Sequence, residues 1–259
     1  MILVDTHVHF HFPDFDKDRK EAIERARRAG VKFFINVGTD PETSKLSLEL
    51  AEREAGFYAS AGFHPHDASR FNPSLLPAWE EIARHPDIVA IGEVGLDFFR
   101  NLSPKNIQEE VLRIACRLAK NVDKPLILHV RDAFEETFRI LKEEFPKGGR
   151  GVFHCFSGDQ KAMRQAIDMG FHISFSGILT YKRNDELRET ARETPEGRIL
   201  LETDAPFLPP QSCRGKRNES ELMVETAKCL AEIRGVLLED VARLTTRNAA
   251  HLFHLGIES

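Results

Sequence analysis

Two histidines separated by one residue, in Asp5-Thr6-His7-Val8-His9, stand near the start of the chain. In an extended strand, residues two apart project to the same side, so His7 and His9 can grip one ion. Glu93 follows in Gly92-Glu93-Val94-Gly95, His64 precedes Pro65, His129 and His154 each close an apolar run, and Asp204 ends Glu202-Thr203-Asp204. Neutral imidazole is a common ligand of divalent transition metals, and carboxylates suit magnesium and manganese as well. One ion can take His7, His9 and Asp204, a second can take His129 and His154, and the two oxygens of Glu93 can bridge them. Ions paired in this way stand roughly 3.5–4 Å apart and suit phosphoester cleavage. Singly, each of these residues is a strand-end polar group that one hydrogen bond would explain; their joint placement sets them apart. His11, His85, His172, His251 and His254 lack that setting. Cys155, beside His154, is expected on the opposite face of the strand as a packed residue.

A knot of positive charge, Arg214-Gly215-Lys216-Arg217, comes soon after Asp204, although the chain as a whole carries a net charge of -5. Arg131 stands two residues beyond His129, and Lys182 follows another apolar run. Guanidinium groups offer planar, two-pronged contacts to phosphate. Arg131, Lys182, Arg214, Lys216 and Arg217 are therefore expected to face a phosphate beside the ions.

The elements that must position these groups are legible as apolar runs rich in Val, Ile, Leu and Phe. Strands are predicted near residues 2–9, 33–39, 57–64, 88–96, 125–131, 151–156, 172–178 and 199–204. Helical patterning fills residues 19–29, 42–55, 108–121, 133–144, 159–169 and 185–193, and residues 219–234 and 238–255 form a helical tail. Continuously apolar strands alternating with helices imply buried parallel pairing. The size and the number of strands fit an α/β fold of the TIM-type (β/α)8 barrel class, with an open doubly wound sheet as the competing architecture. The chemically active residues fall at the C-terminal ends of their strands, which in a barrel converge on one mouth. No linker or low-complexity segment divides the chain, so residues 1–259 are expected to make one domain.

Composition narrows the class further. The chain is 41% hydrophobic and 30% charged, enough for a substantial core under a solvated surface. Its mild acidity argues against broad capture of nucleic acid by charge. No apolar stretch is long enough to cross a bilayer, and no secretory leader is evident. The four cysteines are far apart and form no CxxC pair, as expected of a cytoplasmic protein.

At its chemically active residues the sequence resembles the TatD family of metal-dependent hydrolases. The pieces that carry the likeness are Asp5-Thr6-His7-Val8-His9, Gly62-Phe63-His64-Pro65, Gly92-Glu93-Val94-Gly95-Leu96-Asp97, His129-Val130-Arg131-Asp132, His154-Cys155-Phe156-Ser157-Gly158, Glu202-Thr203-Asp204-Ala205-Pro206 and Arg214-Gly215-Lys216-Arg217-Asn218. They occur in the family's order and span nearly the whole chain. Ser103-Pro104 followed by Gln108, Tyr181-Lys182 and Arg247-Asn248-Ala249 agree as well. The resemblance implies a TIM-type barrel and hydrolysis dependent on divalent metal, usually assigned as deoxyribonuclease activity. It implies ligands at His7, His9, Glu93, His129, His154 and Asp204, and it brings His64 near the substrate phosphate. Two positions depart from the pattern. Ser220 stands where proline is usual, which is expected to loosen that loop, and Val111 stands where an aromatic is frequent.

The expected reaction is cleavage of a phosphodiester in DNA, or in another phosphoester, by metal-activated water. Two divalent ions, Mg, Mn, Zn or Co, would serve it. Asp204 orients the water and accepts its proton, Glu93 bridges, and His64 either protonates the leaving oxygen or hydrogen-bonds the phosphate. Attack from a strand end or within accessible DNA would both fit a deep mouth. Two other readings compete. One is ester or amide hydrolysis, as on aminoacyl-tRNA, which related barrels support with a carboxylated lysine where this chain has Glu93. The other is a barrel that only binds.

Overall fold

A computed structural model describes residues 1–257. The strands are β1 (Leu3–Val8), β2 (Val31–Val37), β3 (Phe57–Ala61), β4 (Ile88–Asp97), β5 (Leu126–Arg131), β6 (Gly151–Phe153), β7 (His172–Phe175) and β8 (Ile199–Leu201). They pair in sequence order, each parallel to the next. An isolated parallel bridge between Val8 and Ala205 brings the last strand back to the first. The result is a (β/α)8 barrel of TIM type, and the open doubly wound sheet is set aside.

The helices are α1 (Arg19–Ala29), α2 (Pro41–Arg53), α3 (Leu76–Ala83), α4 (Lys105–Val122), α5 (Phe134–Glu144), α6 (Gln160–Asp168), α7 (Asp185–Glu193), α8 (Met223–Arg234) and α9 (Leu238–Phe253). Spacing within α4 explains its seat: Val111, Leu112, Ala115, Leu118 and Ala119 fall on one face and are buried. Val111, the departure from the family's aromatic, is simply part of that packed face. α2 starts at a reciprocal cap in which Asp40 accepts the backbone N–H of Thr43 while the Thr43 hydroxyl oxygen accepts the Asp40 N–H. The short helix α3 lies in a segment where the sequence suggested none. No helix among the described residues is long and apolar enough to cross a membrane.

Alternation along the strands sorts the core into two layers. Phe34, Leu128, Phe153 and Leu201 point outward into a cluster shared with Ile23, Leu112, Phe138 and Met163 of the helices. Their neighbours Ile35, Ile127, Val152 and Leu200 belong to a separate inner cluster, closed by Ala249, Leu252 and Phe253 of α9. The helical tail therefore plugs the barrel's floor. By the same alternation, the inward side above Ile127 and Val152 belongs to His129 and His154.

Several strands are shorter than their apolar runs. β3, β6 and β8 stop before His64, His154 and Asp204, and β1 stops before His9. The functional ends of these runs have left the ladder. They take up turn geometry, including left-handed φ values of 42° at Cys155 and 60° at Asp204.

Candidate active site

The barrel seam is held beside the first histidine pair. The Asp204 backbone N–H donates to the His7 carbonyl at 2.8 Å, and the His9 N–H donates to the Ala205 carbonyl at 2.8 Å. Below them, the buried Asp5 carboxylate accepts from the Thr203 backbone, the Thr203 hydroxyl and the Ser220 hydroxyl at 2.9, 2.6 and 2.6 Å. Ser220 thus anchors its loop to β1 instead of loosening it; its hydroxyl gives what a proline cannot. Burial pushes the Asp5 carboxyl up to about 7, against the pull of those donors.

Glycines make room for Glu93. A Cβ at Gly62 would lie 2.2 Å from the Glu93 nitrogen, and one at Gly95 would lie 1.9 Å from the His129 carbonyl oxygen. With φ at +148°, Gly95 also has a backbone conformation that side chains rarely adopt. The end of β4 is pinned by Gln108, whose Oε1 accepts the Asp97 N–H at 2.8 Å and whose amide donates to the Ser103 carbonyl at 2.7 Å.

The two oxygens of Glu93 face different histidines. Oε2 lies 3.3 Å from His7 Nε2 and 3.9 Å from His9 Nε2. Oε1 lies 2.9 Å from both His129 Nδ1 and His154 Nε2, and 3.3 Å from His64 Nε2. Asp204 Oδ1 stands 3.7 Å from His7 Nε2 and 3.6 Å from His9 Nε2. The six residues expected to act together therefore meet in one place, with His64 beside them.

The groups behind these rings select tautomers. His9 Nδ1 is 2.8 Å from the Val37 carbonyl and must donate to it, which leaves Nε2 with its lone pair toward the cluster. His154 Nδ1 meets Glu202 Oε1 at 3.2 Å, and His129 Nε2 meets Asp97 Oδ2 at 3.2 Å. Each carboxylate accepts a ring proton, so in the neutral rings His154 Nε2 and His129 Nδ1 turn lone pairs inward. His64 is different. Its Nδ1 accepts the His66 backbone N–H at 3.1 Å, so the proton of the neutral ring sits on Nε2, aimed at Glu93.

Charge follows from these contacts. Burial favours protonation of Glu93, but the imidazoles of His64, His154 and His7 outweigh it and hold the carboxyl well below the usual range. Asp204 is likewise kept low, burial being outweighed by His9 and His7. Burial works to lower His154, yet Glu93 and Glu202 raise it well above an ordinary imidazole. His129 is raised against burial by Asp97 and Glu93. Burial lowers His64 to about 4, so it is a neutral donor near pH 7.

This donor set fits divalent cations. His7 Nε2 and His9 Nε2 are 3.2 Å apart, and the His9 nitrogen carries a lone pair directed at neighbouring carboxylate oxygens that can only accept. Such a convergence of acceptors in a buried space is costly unless a cation or extra protons occupy it. His7, His9 and Asp204 supply ligand atoms that all lie within 4.8 Å of one another. Imidazole mixed with carboxylate suits Zn, Mn or Co, and the carboxylates suit Mg.

The cluster forms the floor of a cavity of about 640 Å³. Of the expected phosphate-binding cations only Arg131 lines it, its guanidinium 4.0 Å from the Phe99 ring centroid. Lys182, Arg214, Lys216 and Arg217 do not line it. Arg217 instead pairs with Asp18 at 2.7 Å and Glu219 at 2.6 Å, and Arg214 lies over the Tyr181 ring. Arg217 thus folds back between Asp18, distant in sequence, and Glu219, two residues along the chain. Arg100 lines the cavity without having been anticipated.

His66, Asp97 and Glu202 were also missed. Asp97 Oδ2 takes His66 Nε2 at 2.7 Å as well as His129. His64-Pro65-His66 repeats the spacing of the first histidine pair, which was the available signal. Glu202 shared it with Asp204. Cys155 corrects the alternation expected of it: its positive φ turns it into the cavity wall, where Sγ lies 3.1 Å from the Ser176 hydroxyl. Burial and the charges of Asp204 and Glu202 raise its thiol pKa well above the normal value, which makes it a poor nucleophile.

Residues 4–254 match the family model described as TatD related DNase. A Bacillus subtilis (strain 168) protein named uncharacterized metal-dependent hydrolase YabD is 41% identical over 255 residues, covering 98% of this chain and all of its own length. A Klebsiella pneumoniae (strain 342) protein named 3'-5' ssDNA/RNA exonuclease TatD is 34% identical over 260 residues, covering 98% and 99%. The crystal structure of YJJV, a TatD homolog from Escherichia coli K12, superposes with a TM-score of 0.92 at 32% identity, covering 98% of each chain.

Proposed function

The chain belongs to the TatD family of metal-dependent hydrolases, and we propose that it cleaves phosphodiester bonds in single-stranded or otherwise accessible DNA, working inward from a 3' end. The observation that carries this reading is Glu93, whose two oxygens address two separate histidine groups on the floor of one cavity. That arrangement suits paired ions and an in-line displacement at phosphorus. The exonuclease name carried by a relative at 34% identity supports the choice of substrate.

His7, His9 and Asp204 would hold one ion, His129 and His154 the other, with Glu93 between them. Such ions lower the pKa of a water and neutralise charge on phosphoryl oxygens. Asp204 Oδ1, at the edge of the first histidine pair, orients the attacking water and accepts its proton. His64 presents an N–H at Nε2, and in a neutral ring this serves as a hydrogen-bond donor to a phosphoryl oxygen. Arg131 and Arg100, exposed on the cavity wall, draw the phosphate backbone toward the floor. Asp97 and Glu202 keep the His129 and His154 lone pairs turned inward.

The test is turnover of a 5'-labelled single-stranded oligonucleotide by protein loaded in turn with Mg, Mn, Co and Zn. A ladder of products shortening from the 3' end is expected, and blocking that end should stop it. Absence of phosphodiester turnover with every metal would refute the proposal, and turnover of aminoacyl-tRNA alone would replace it with the ester-hydrolase reading.

A further inference from the structure

Large apolar side chains are exposed at the cavity mouth in two groups. Phe207 is 50% exposed and Leu208 36%; beyond the end of β4, Phe99 is 59% exposed and Leu102 64%. Each leaves apolar surface in water at a cost of about 25 cal/mol per Å². Leu102, Phe207 and Leu208 line the cavity, and Phe99 lies under Arg131, which lines it too; apolar groups exposed in this way mark a binding surface.

The first group is rigidly held. The Phe207 backbone N–H donates to the Asp204 carbonyl at 2.8 Å, and the Phe207 carbonyl accepts the Asn218 amide at 2.6 Å. Asn218 also donates to the Thr203 carbonyl at 2.9 Å, tying the turn to the segment beyond β8 that carries Asp204. Phe12 meets Phe207 edge-on with ring centroids 6.1 Å apart, and stacks on His9 at 4.6 Å with 12° between the planes. An aromatic platform thus continues directly from a ring on the cavity floor. The second group is a Phe99 ring with the Arg131 guanidinium laid over it at 4.0 Å. The Arg100 N–H, donating to Asp97 Oδ1 at 2.7 Å, fixes the turn that carries Phe99.

Strand order places these groups across the mouth from each other. Phe12 and Phe207 follow β1 and β8, which meet at the seam, whereas Phe99 and Arg131 belong to the ends of β4 and β5, half-way round an eight-stranded barrel. The reacting groups lie between them. We propose that these are two base-stacking platforms, Phe207 with Phe12 on one side and Phe99 with Arg131 on the other, which receive the unpaired nucleobases flanking the scissile phosphate. The assignment rests on the phosphodiesterase reading above and goes beyond it by naming what selects single strands. Every base has a π face, so stacking tolerates any sequence. In a duplex the flanking bases are stacked on one another and paired, and they can reach the platforms only if the ends fray. The cations of Arg131 and Arg100 match the backbone charge that would run between the platforms.

The experiment compares wild type with Phe207→Ala and Phe207→Trp. One readout is metal-loaded cleavage of a single strand with 2-aminopurine next to the scissile phosphate, set against the same strand with a base-free residue at that position. The other is quenching of 2-aminopurine fluorescence on binding. Removing one stacked ring should lower kcat/KM on the base-bearing strand about tenfold, mainly through KM, with a much smaller loss on the base-free strand. It should also abolish most of the quenching, and Phe207→Trp should restore both. Equal losses on the two strands, or unaltered quenching in Phe207→Ala, would overturn the platforms while leaving phosphodiester cleavage standing. Quenching by a wild type that cleaves neither strand would overturn the hydrolytic reading and keep the platforms; neither cleavage nor quenching would overturn both.

Discussion

Asp97 touches no expected substrate atom, yet replacing it with Asn should disable the centre. Its Oδ2 accepts from His66 Nε2 at 2.7 Å and faces His129 Nε2 at 3.2 Å, while Oδ1 accepts the Arg100 N–H at 2.7 Å. An asparagine has one acceptor oxygen where the carboxylate has two. If that oxygen stays with Arg100, the new NH2 faces two ring nitrogens that were donating. His129 must then move its proton to Nδ1, the atom 2.9 Å from Glu93 Oε1 that should offer a lone pair. Loss of an orienting carboxylate behind a metal-ligating histidine typically lowers metal affinity or activity 10–100-fold, or about 1.4–2.7 kcal/mol. The change in folding stability should be no larger than about 1–3 kcal/mol, the cost of an unsatisfied buried group. Calorimetric titration with Mn, alongside urea unfolding, separates the two effects. Wild-type metal affinity in a folded Asp97→Asn protein would refute the tautomer reasoning.

Other consequences are as concrete. Glu93→Gln removes the negative charge shared by both histidine groups and should reduce cleavage by at least about 10²-fold in a single-turnover assay. Stripping metal with a chelator should lower Tm by several degrees, because an ion at 100 times its Kd contributes about 2.7 kcal/mol. Arg217→Ala breaks pairs to Asp18 and Glu219 that are partly solvated; it should cost less than about 1 kcal/mol and leave cleavage kinetics unchanged. His172, far from the cavity, is lowered by burial and then by Arg198 to about 4. The unfolded chain binds that proton more tightly, so stability present above the unfolded value of 6.5 is lost as pH falls toward 4. The loss amounts to about 3 kcal/mol at most. Asp5 and His64 titrate over the same range, so the readout is the difference in unfolding free energy between wild type and His172→Gln, which should change by that amount between pH 7 and 4.

The letters alone determined parallel strands alternating with helices, because buried strands must be continuously apolar and the intervening helices must be amphipathic; that the sheet closes into a barrel was decided by the pairing of its ends at Val8 and Ala205. They also singled out His7, His9, Glu93, His129, His154 and Asp204, since imidazole and carboxylate at the ends of apolar runs have few other uses in combination. Folding decided what periodicity cannot express. Cys155 turns into the cavity because its backbone leaves the strand, and Arg217 turns to Asp18 and Glu219 because folding brings those carboxylates within 2.7 and 2.6 Å of it. His66, Asp97 and Glu202 acquire their parts only through partners on other elements, and α9 becomes the floor only when eight strands close above it. Strand alternation is a local property of the chain. The choice of partner for a charge or a ring proton belongs to the assembled barrel, where Coulomb and hydrogen-bond energies depend on distances that sequence separation does not fix.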